Sequence, residues 1–520
     1  MRTPFPFQGR VAQAAGAHPT LRPGAGRGTA FAILASVVAF GARSTRRAVT
    51  ALLLVAACDP INPWLFAVRD HVVMLIVGLA AATLSTTLYA HRAQRIGRFE
   101  TSALTVMLIA AALLSVIQGT RFAQQREAVL AAPAGARAIG HRFMVGYRSF
   151  EEVAPLAERG LIGGIYLTRR NVRDRDIAAI RAEIDALQTL RARAGLPPLL
   201  VAADQEGGPV AHMSPPLSAP PAIATLVAEA AVSDDGAHAL TLRARAYGEA
   251  KGAELAALGI NLNFGPVVDL RPDGRGPTLD THTLIRRRAI SADPTLVATV
   301  ARAYADGLHS HGVGATLKHF PGLARVTVDT HHFPARLDTP VTTLADHDWH
   351  PFRHAARADG AIMLGHVILT DLDPEHPAST SPAVVRTLLR EEWGYDGLLV
   401  TDDLNMGAVY RLGPCRATLA ALAAGVDVLL LSYDPDQFHR AMHCALTAQR
   451  AGHLSPEENT ASARRMAALT QSNGPPRPVV TPGPSTPSST GQSQSAPAPA
   501  ARTGHAGHRI ARRTTQPRPW

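Results

Sequence analysis

The 520-residue sequence predicts an α/β chain built on a (β/α)8 barrel of the TIM type, preceded by transmembrane helices and followed by a disordered tail. Three observations carry this prediction. Between about residues 138 and 471, short β-rich runs alternate with helix-length amphipathic stretches, which is the sequence form of a parallel α/β fold of barrel length. Before residue 120, long apolar runs are separated by arginine clusters. Beyond residue 470 the chain turns rich in Pro, Ser, Thr and Gln with almost no large apolar side chains, so it cannot form a core. The expected organisation is a disordered N-terminus over 1–28, a membrane region over 29–120 with two to four helices, and a linker over 121–137. The barrel then occupies 138–471 and a disordered basic tail 472–520.

Residues 71–90 (HVVMLIVGLAAATLSTTLYA) and 102–119 (SALTVMLIAAALLSVIQG) each approach the roughly 20 residues that span a bilayer as a helix. Residues 29–42 are shorter, and 48–68 are interrupted by Asp59, Pro60 and Asn62. Arg43, Arg46 and Arg47 form one basic cluster, and Arg92, Arg95 and Arg98 another. Lys and Arg collect in cytoplasmic loops. Placing both clusters inside requires two crossings between them and one more after Glu100, which leaves the barrel periplasmic or extracellular. The apolar content runs too far for a cleavable signal peptide.

The formal net charge is +11. Its surplus sits at the membrane edges and in the tail (Arg502, Arg509, Arg512, Arg513, Arg518), so nucleic acid is not an expected partner. Cys58, Cys415 and Cys444 make no CxxC pair and no metal-finger spacing, and no disulfide framework is expected.

Active sites of such barrels lie at the carboxyl ends of the strands. The run 199–203 ends in Asp204-Gln205-Glu206-Gly207-Gly208, and 261–264 leads to Asp269. Run 314–317 ends in Lys318-His319-Phe320-Pro321-Gly322, 361–364 in Gly365-His366, and 397–401 in Asp402-Asp403. One such end could be a solvated cap; five describe a polar pocket. Runs 163–167 and 426–431 are further strands. No GxGxxG or GxxxxGK[ST] follows any of them, which disfavours a nucleotide-binding doubly wound sheet.

The ordered set DQEGG (204–208), GINLNFGPVVDL (259–270), KHFPG (318–322), DTH (329–331), MLGHV (363–367), LLREEWGYDGLLVTDDLNMGAV (388–409) and AGVD (424–427) resembles glycoside hydrolase family 3 over about residues 140–470. The similarity is to its single-domain bacterial β-N-acetylglucosaminidase branch. It implies a retaining exo-β-N-acetylhexosaminidase that hydrolyses terminal β-linked N-acetylglucosamine from peptidoglycan or chitin-like fragments, without a cofactor.

By that resemblance Asp402 is the nucleophile, forming a glycosyl-enzyme intermediate through an oxocarbenium-like transition state. Asp403, its neighbour on an extended chain, should point the other way. Asp329 and His331 correspond to an Asp-x-His acid/base pair on the loop after KHFPG. An imidazole titrates near neutrality, and a carboxylate on its other nitrogen orients it. Asp204, Arg288, Lys318 and His319 correspond to sugar-holding positions. Asp269 and His366 are pocket or supporting positions, and His332 lies outside the chemistry. Four histidines in this region invite a metal-site reading, yet no HExxH-type spacing accompanies them, and no metal is expected.

Three places depart from the family pattern: Pro209 and His212 replace basic residues, Leu323-Ala324-Arg325 replaces His-Gly-Asp, and Ala289-Ile290-Ser291 replaces Ser-Phe-Gly. These bear on subsite shape and on preference for an N-acetyl sugar. The alternatives are a β-glycosidase of other specificity, a phosphorylase in which phosphate replaces water, and a non-catalytic membrane-anchored glycan-binding barrel that binds without turnover.

Overall fold

A computed structural model describes residues 42–233, 236–272 and 282–472. The expected disordered stretches 1–28 and 472–520 and the apolar run 29–42 fall outside the described residues, apart from Ala42 and Ser472 at their edges.

Three helices come first among the described residues: α1 (Ala42–Cys58), α2 (Val72–Arg92) and α3 (Arg98–Leu130). They pack on one another through Val49, Leu53, Ile76, Ala80, Leu108 and Ala111. Leu52, Val55, Met74, Val106 and Leu113 on their other faces stay exposed. The segments Pro63–Arg92 and Arg98–Leu130 are long and apolar enough to cross a membrane. Between α1 and α2, residues 59–71 interrupt the α-helical run. They make a short strap, with a 3-10 turn over Pro63–His71, that lies on the barrel. The stretch 121–137, expected as a linker, is helical through Leu130. It docks because Phe122 meets the ring of His439 edge-on and Val129 is fully buried in the barrel's core.

The barrel strands are β1 (Phe143–Val145), β2 (Gly164–Leu167), β3 (Leu200–Ala203), β4 (Leu262–Asn263), β5 (Gly314–Phe320), β6 (Ala361–Leu364), β7 (Leu398–Thr401) and β8 (Leu429–Leu431). Each pairs in parallel with its sequence neighbour, and β1 pairs with β8. A parallel bridge between Val400 and Val428 and a bond from Thr401 N to Val428 O (2.9 Å) close the ring. Seven strands fall on the runs read from the sequence. The eighth, β1, is only three residues long, between Arg142 and Gly146, and offers no readable alternation.

Alternation sets the two faces of each strand. Met144, Tyr166, Leu200, Ala202, Leu262, Met363, Leu398, Val400 and Leu430 fill the barrel interior. Val201, Ala203, Ile362, Leu399 and Leu431 face outward, toward the helices. These include α4 (Phe150–Arg159), α5 (Ile177–Arg193), α6 (Gly236–Leu258), α7 (Pro294–His309), α8 (Pro414–Ala424) and α9 (Asp436–Arg450). Local chemistry sets their ends. Asp293 accepts from Thr295 N and Leu296 N to start α7, with Pro294 in its first turn, and Gly160 at φ 72° stops α4. The last helix among the described residues, α10 (Pro456–Ser472), plugs the amino end with Met466 and Leu469.

Contrary to the expectation from spacing, Cys415 on α8 and Cys444 on α9 form a disulfide, their Cα atoms 5.5 Å apart. They lie 29 residues apart in sequence and meet only because adjacent barrel helices pack side by side.

Candidate active site

The same alternation that fills the barrel delivers polar groups to its carboxyl end. On β3, interior positions 200 and 202 are followed by 204, and on β7, 398 and 400 by 402, so Asp204 and Asp402 continue the inward face. Tyr166 and Lys318 are the corresponding inward residues of β2 and β5. Pairing of β5 with β6 slips between Leu317 and Phe320. Such an irregularity re-aims side chains, and here both Lys318 and His319 reach the cavity. The cavity measures about 690 Å³, and its walls include Tyr166, Asp204, His212, Arg288, Lys318, His319, His331 and Asp402. A second cavity of about 690 Å³ at the opposite end, beside Arg137, His141 and Arg191, contains none of the expected site residues.

The floor is a buried network of charges. The Lys318 ammonium pairs with the Asp204 carboxylate and lies 2.6 Å from Glu206. Glu206 grips Arg288 with two bonds, at 2.6 and 2.9 Å. Tyr166 donates to Asp204 at 2.7 Å. Buried charges are tolerable only when paired in this way. Burial pushes the carboxyls of Asp204 and Glu206 upward, but Lys318 and Arg288 outweigh it and hold both below the usual carboxylate range. The same anions keep the Lys318 ammonium protonated against its own burial.

Burial also opposes ionisation of Asp402, and His319, His366 and His331 around it reverse the effect, leaving its carboxyl below the ordinary value. Asp403 turns away, accepting from Ser432 Oγ (2.6 Å), Tyr433 N (2.9 Å) and Asn405 N (2.9 Å). Burial pushes its carboxyl up.

Opposite lies the loop after β5. Asp329, fully buried, accepts from His331 Nδ1 (2.9 Å), His331 N (3.0 Å), Thr283 Oγ1 (2.9 Å) and His282 N (3.1 Å). Burial opposes its charge, but these donors hold it well below the carboxylate range. Because Asp329 occupies Nδ1, the His331 ring presents Nε2 to the cavity. The loop is tied at both ends: Leu323 N donates to Asp269 at 2.8 Å, and Gly407 N to His331 O at 2.7 Å. Its divergent residues are absorbed locally, since Leu323 is buried against the cavity and Arg325 pairs with Asp348 at 2.9 Å.

Asp269 and His366, expected as pocket or supporting positions, both stand behind the cavity wall. Asp269 accepts from His319 Nδ1 at 2.7 Å and orients that ring. His366 is satisfied by Ser379 Oγ (2.8 Å) and the Asp403 carbonyl (2.9 Å), and burial pushes its imidazole below the usual range. Sequence reasoning assigned no role to Glu206, although it sits two residues after Asp204 on the same face. Tyr166 and Thr283 carry no sequence signal of a role, and His212, a departure from the family pattern, enters the site with its Nδ1 3.2 Å from the Tyr166 hydroxyl. Among the described residues, His282, Asp329 and His332 bring three potential ligand atoms within 4.8 Å of one another. A cation there would compete with His331 for Asp329.

An ionised carboxylate facing a carboxylate-held imidazole, over a floor of hydrogen-bonding charges, is the equipment of a glycoside hydrolase. The chain belongs to glycosyl hydrolase family 3, matching its N-terminal domain over residues 136–469. It is 37% identical over 276 residues to a beta-hexosaminidase of Xanthomonas euvesicatoria pv. vesicatoria, covering 52% of this chain and 77% of that one. It is 36% identical over 285 residues to a beta-hexosaminidase of Stenotrophomonas maltophilia, covering 54% and 79%. Among solved structures it is similar to a family 3 beta-N-acetylglucosaminidase from Paenibacillus sp. str. FPU-7, with 32% identity, a TM-score of 0.58 and 65% of this chain covered. It spans 62% of that longer chain. It is also similar to a beta-N-acetylhexosaminidase from Beutenbergia cavernae, with 29% identity and a TM-score of 0.57, covering 66% of this chain and 99% of that one.

Proposed function

We propose that the chain is a membrane-tethered, retaining exo-β-N-acetylhexosaminidase that removes terminal β-linked N-acetylglucosamine from peptidoglycan or chitin-like fragments. The carrying observation is that the Asp329–His331 pair, at 2.9 Å, opens into the same cavity as Asp402. In the first step a carboxylate oxygen of Asp402 attacks the anomeric carbon and the glycosidic C–O bond breaks. His331 Nε2 gives its proton to the departing oxygen, and a glycosyl ester remains on Asp402. In the second, His331 takes a proton from water as the water oxygen attacks the same carbon. The ester bond breaks and the Asp402 carboxylate is restored. Asp329 stabilises the imidazolium between the two steps.

Asp204, Lys318, Arg288 and His319 would hold the terminal sugar; its N-acetyl group is inferred from the names of the relatives. Arg169, on the cavity wall, suits an acidic leaving sugar and favours peptidoglycan fragments. Membrane attachment is supported by the apolar belt on α1–α3. At its far end Arg47 pairs with Glu100 at 3.0 Å, so the basic clusters gather opposite the barrel, as the positive-inside rule asks of a barrel outside the cytoplasm. The Cys415–Cys444 bridge fits an oxidising compartment.

The test uses the full chain in detergent. It should release the chromophore from an aryl β-N-acetylglucosaminide, with the same product in phosphate and phosphate-free buffer, and Asp402→Asn should lose at least about 10³-fold in kcat. No turnover of any aryl β-glycoside would overturn the reading, and a phosphate-dependent sugar phosphate would make the chain a phosphorylase.

A further inference from the structure

The family match begins at residue 136, yet the catalytic cavity has a wall that comes from much earlier in the chain. Pro63 and Trp64, on the strap between α1 and α2, line it together with His331, His332 and Asp402. The strap is locked in place. Buried Arg69 pairs with buried Asp434 at 2.6 Å and donates to Asn62 O at 3.0 Å. Gln437 donates to Ile61 O, and Asp59 accepts from Tyr410 (2.8 Å) and Arg440 (3.1 Å). The Phe66 ring lies against Tyr433, with the Arg170 guanidinium 4.7 Å from its centroid. Asn62 Oδ1 accepts from Trp64 N at 3.0 Å and fixes the backbone that carries the indole.

So held, the strap crosses the mouth from the β8 and β2 loops toward the loop after β5. There the Trp64 ring lies 5.9 Å from that of His332, centroid to centroid. A tryptophan that is 77% exposed, on an anchored backbone and at the mouth of the cavity, has a free face to offer.

We infer that Trp64 is the platform for the leaving sugar, making the strap a specificity element that the barrel domain alone does not contain. This rests on the proposed function. His331 must face the glycosidic oxygen to protonate it, so the leaving group lies on the side of His331 and His332, and Trp64 stands there. The floor of Asp204, Glu206, Arg288 and Lys318 lies at the closed end and belongs to the terminal sugar. The ligand class is a pyranoside, whose apolar C–H face covers an indole while its hydroxyls remain in water; aromatic walls with a few polar groups are the usual make-up of such sites. A tryptophan beside a membrane helix can also serve as an interfacial anchor, and that role would not distinguish one leaving group from another.

Two substrates with the same terminal sugar separate these roles in the full chain in detergent. One is the β-1,4-linked disaccharide of N-acetylglucosamine, and the other is β-N-acetylglucosaminyl fluoride, whose leaving atom is too small to reach Trp64. Trp64→Ala should lower the ratio of kcat/KM for the disaccharide to that for the fluoride about tenfold, chiefly through KM, as expected when one aromatic contact is truncated. Trp64→Phe should restore most of the ratio. An unchanged ratio, including an equal loss on both substrates, would overturn the assignment while leaving the proposed activity standing. If the unaltered chain cleaves neither substrate, the activity and the platform fall together.

Discussion

In the proposed mechanism His331 carries two jobs on one ring, and its geometry makes them separable. Nδ1 is committed to Asp329, so every proton that reaches or leaves the reacting atoms must pass through Nε2. A general acid matters in proportion to how poorly the leaving group departs unaided. His331→Ala should therefore lower kcat/KM by about 10²–10⁴-fold on a disaccharide, and far less on a nitrophenyl glycoside whose phenolate needs no proton. Equal losses on both would remove His331 from the acid role. The choice between Asp402 and Asp403 is already legible at this scale, because residue parity on β7 puts 398, 400 and 402 on one face. The partner of Arg288 was not legible: Glu206 stands 82 residues away and meets it only when the β3 and β4 loops converge.

At the scale of elements, α3 and α9 meet across His439, which packs against Phe122. Burial, with Arg126 next in effect and Arg148 adding to it, pushes this imidazole down to about 4, against a weaker pull from Asp436. The folded chain thus keeps His439 neutral where the unfolded chain, near 6.5, takes up a proton. Stability from this group is complete above pH 6.5 and is lost as pH falls toward 4, by up to about 3 kcal/mol. Melting temperatures in detergent should drop between those pH values, and His439→Gln should flatten that part of the curve. An identical acid drop in the variant would exclude His439 as its source. The joint itself was hidden in the sequence. Residues 121–137 read as a linker because an amphipathic continuation such as GTRFAQQREAVL shows its apolar face only once a barrel is there to receive it.

For the whole molecule, α1 runs toward the barrel, α2 away from it and α3 back, so one end of the hairpins carries the strap and the other the arginines. If the barrel lies outside the cytoplasm, Cys58 at the barrel end is outside as well. It is exposed and the only described cysteine outside the disulfide. A membrane-impermeant maleimide added to intact spheroplasts should label Cys58. It should leave Ala93→Cys, placed at the α2–α3 turn in a Cys58→Ser background, unlabelled until the cells are lysed. The reverse pattern would put the barrel in the cytoplasm.

What the sequence determined by itself is the part of the molecule written in local periods and contiguous strings. These are seven of the eight barrel strands, the inward residues at their ends, the apolar helices, and the catalytic candidates on the KHFPG and DTH segments. What only the tertiary structure decided are the contacts between distant stretches. Arg69 and Asp434, 365 residues apart, pin the strap over the cavity, and Asp59, Pro60 and Asn62 look in the sequence like no more than an interrupted helix. The Cys415–Cys444 bridge, the Glu206–Arg288 clamp and the docking of α3 are of the same kind. An element's own periodicity records which of its faces is buried, whereas the identity of the surface that buries it exists only after the chain has folded.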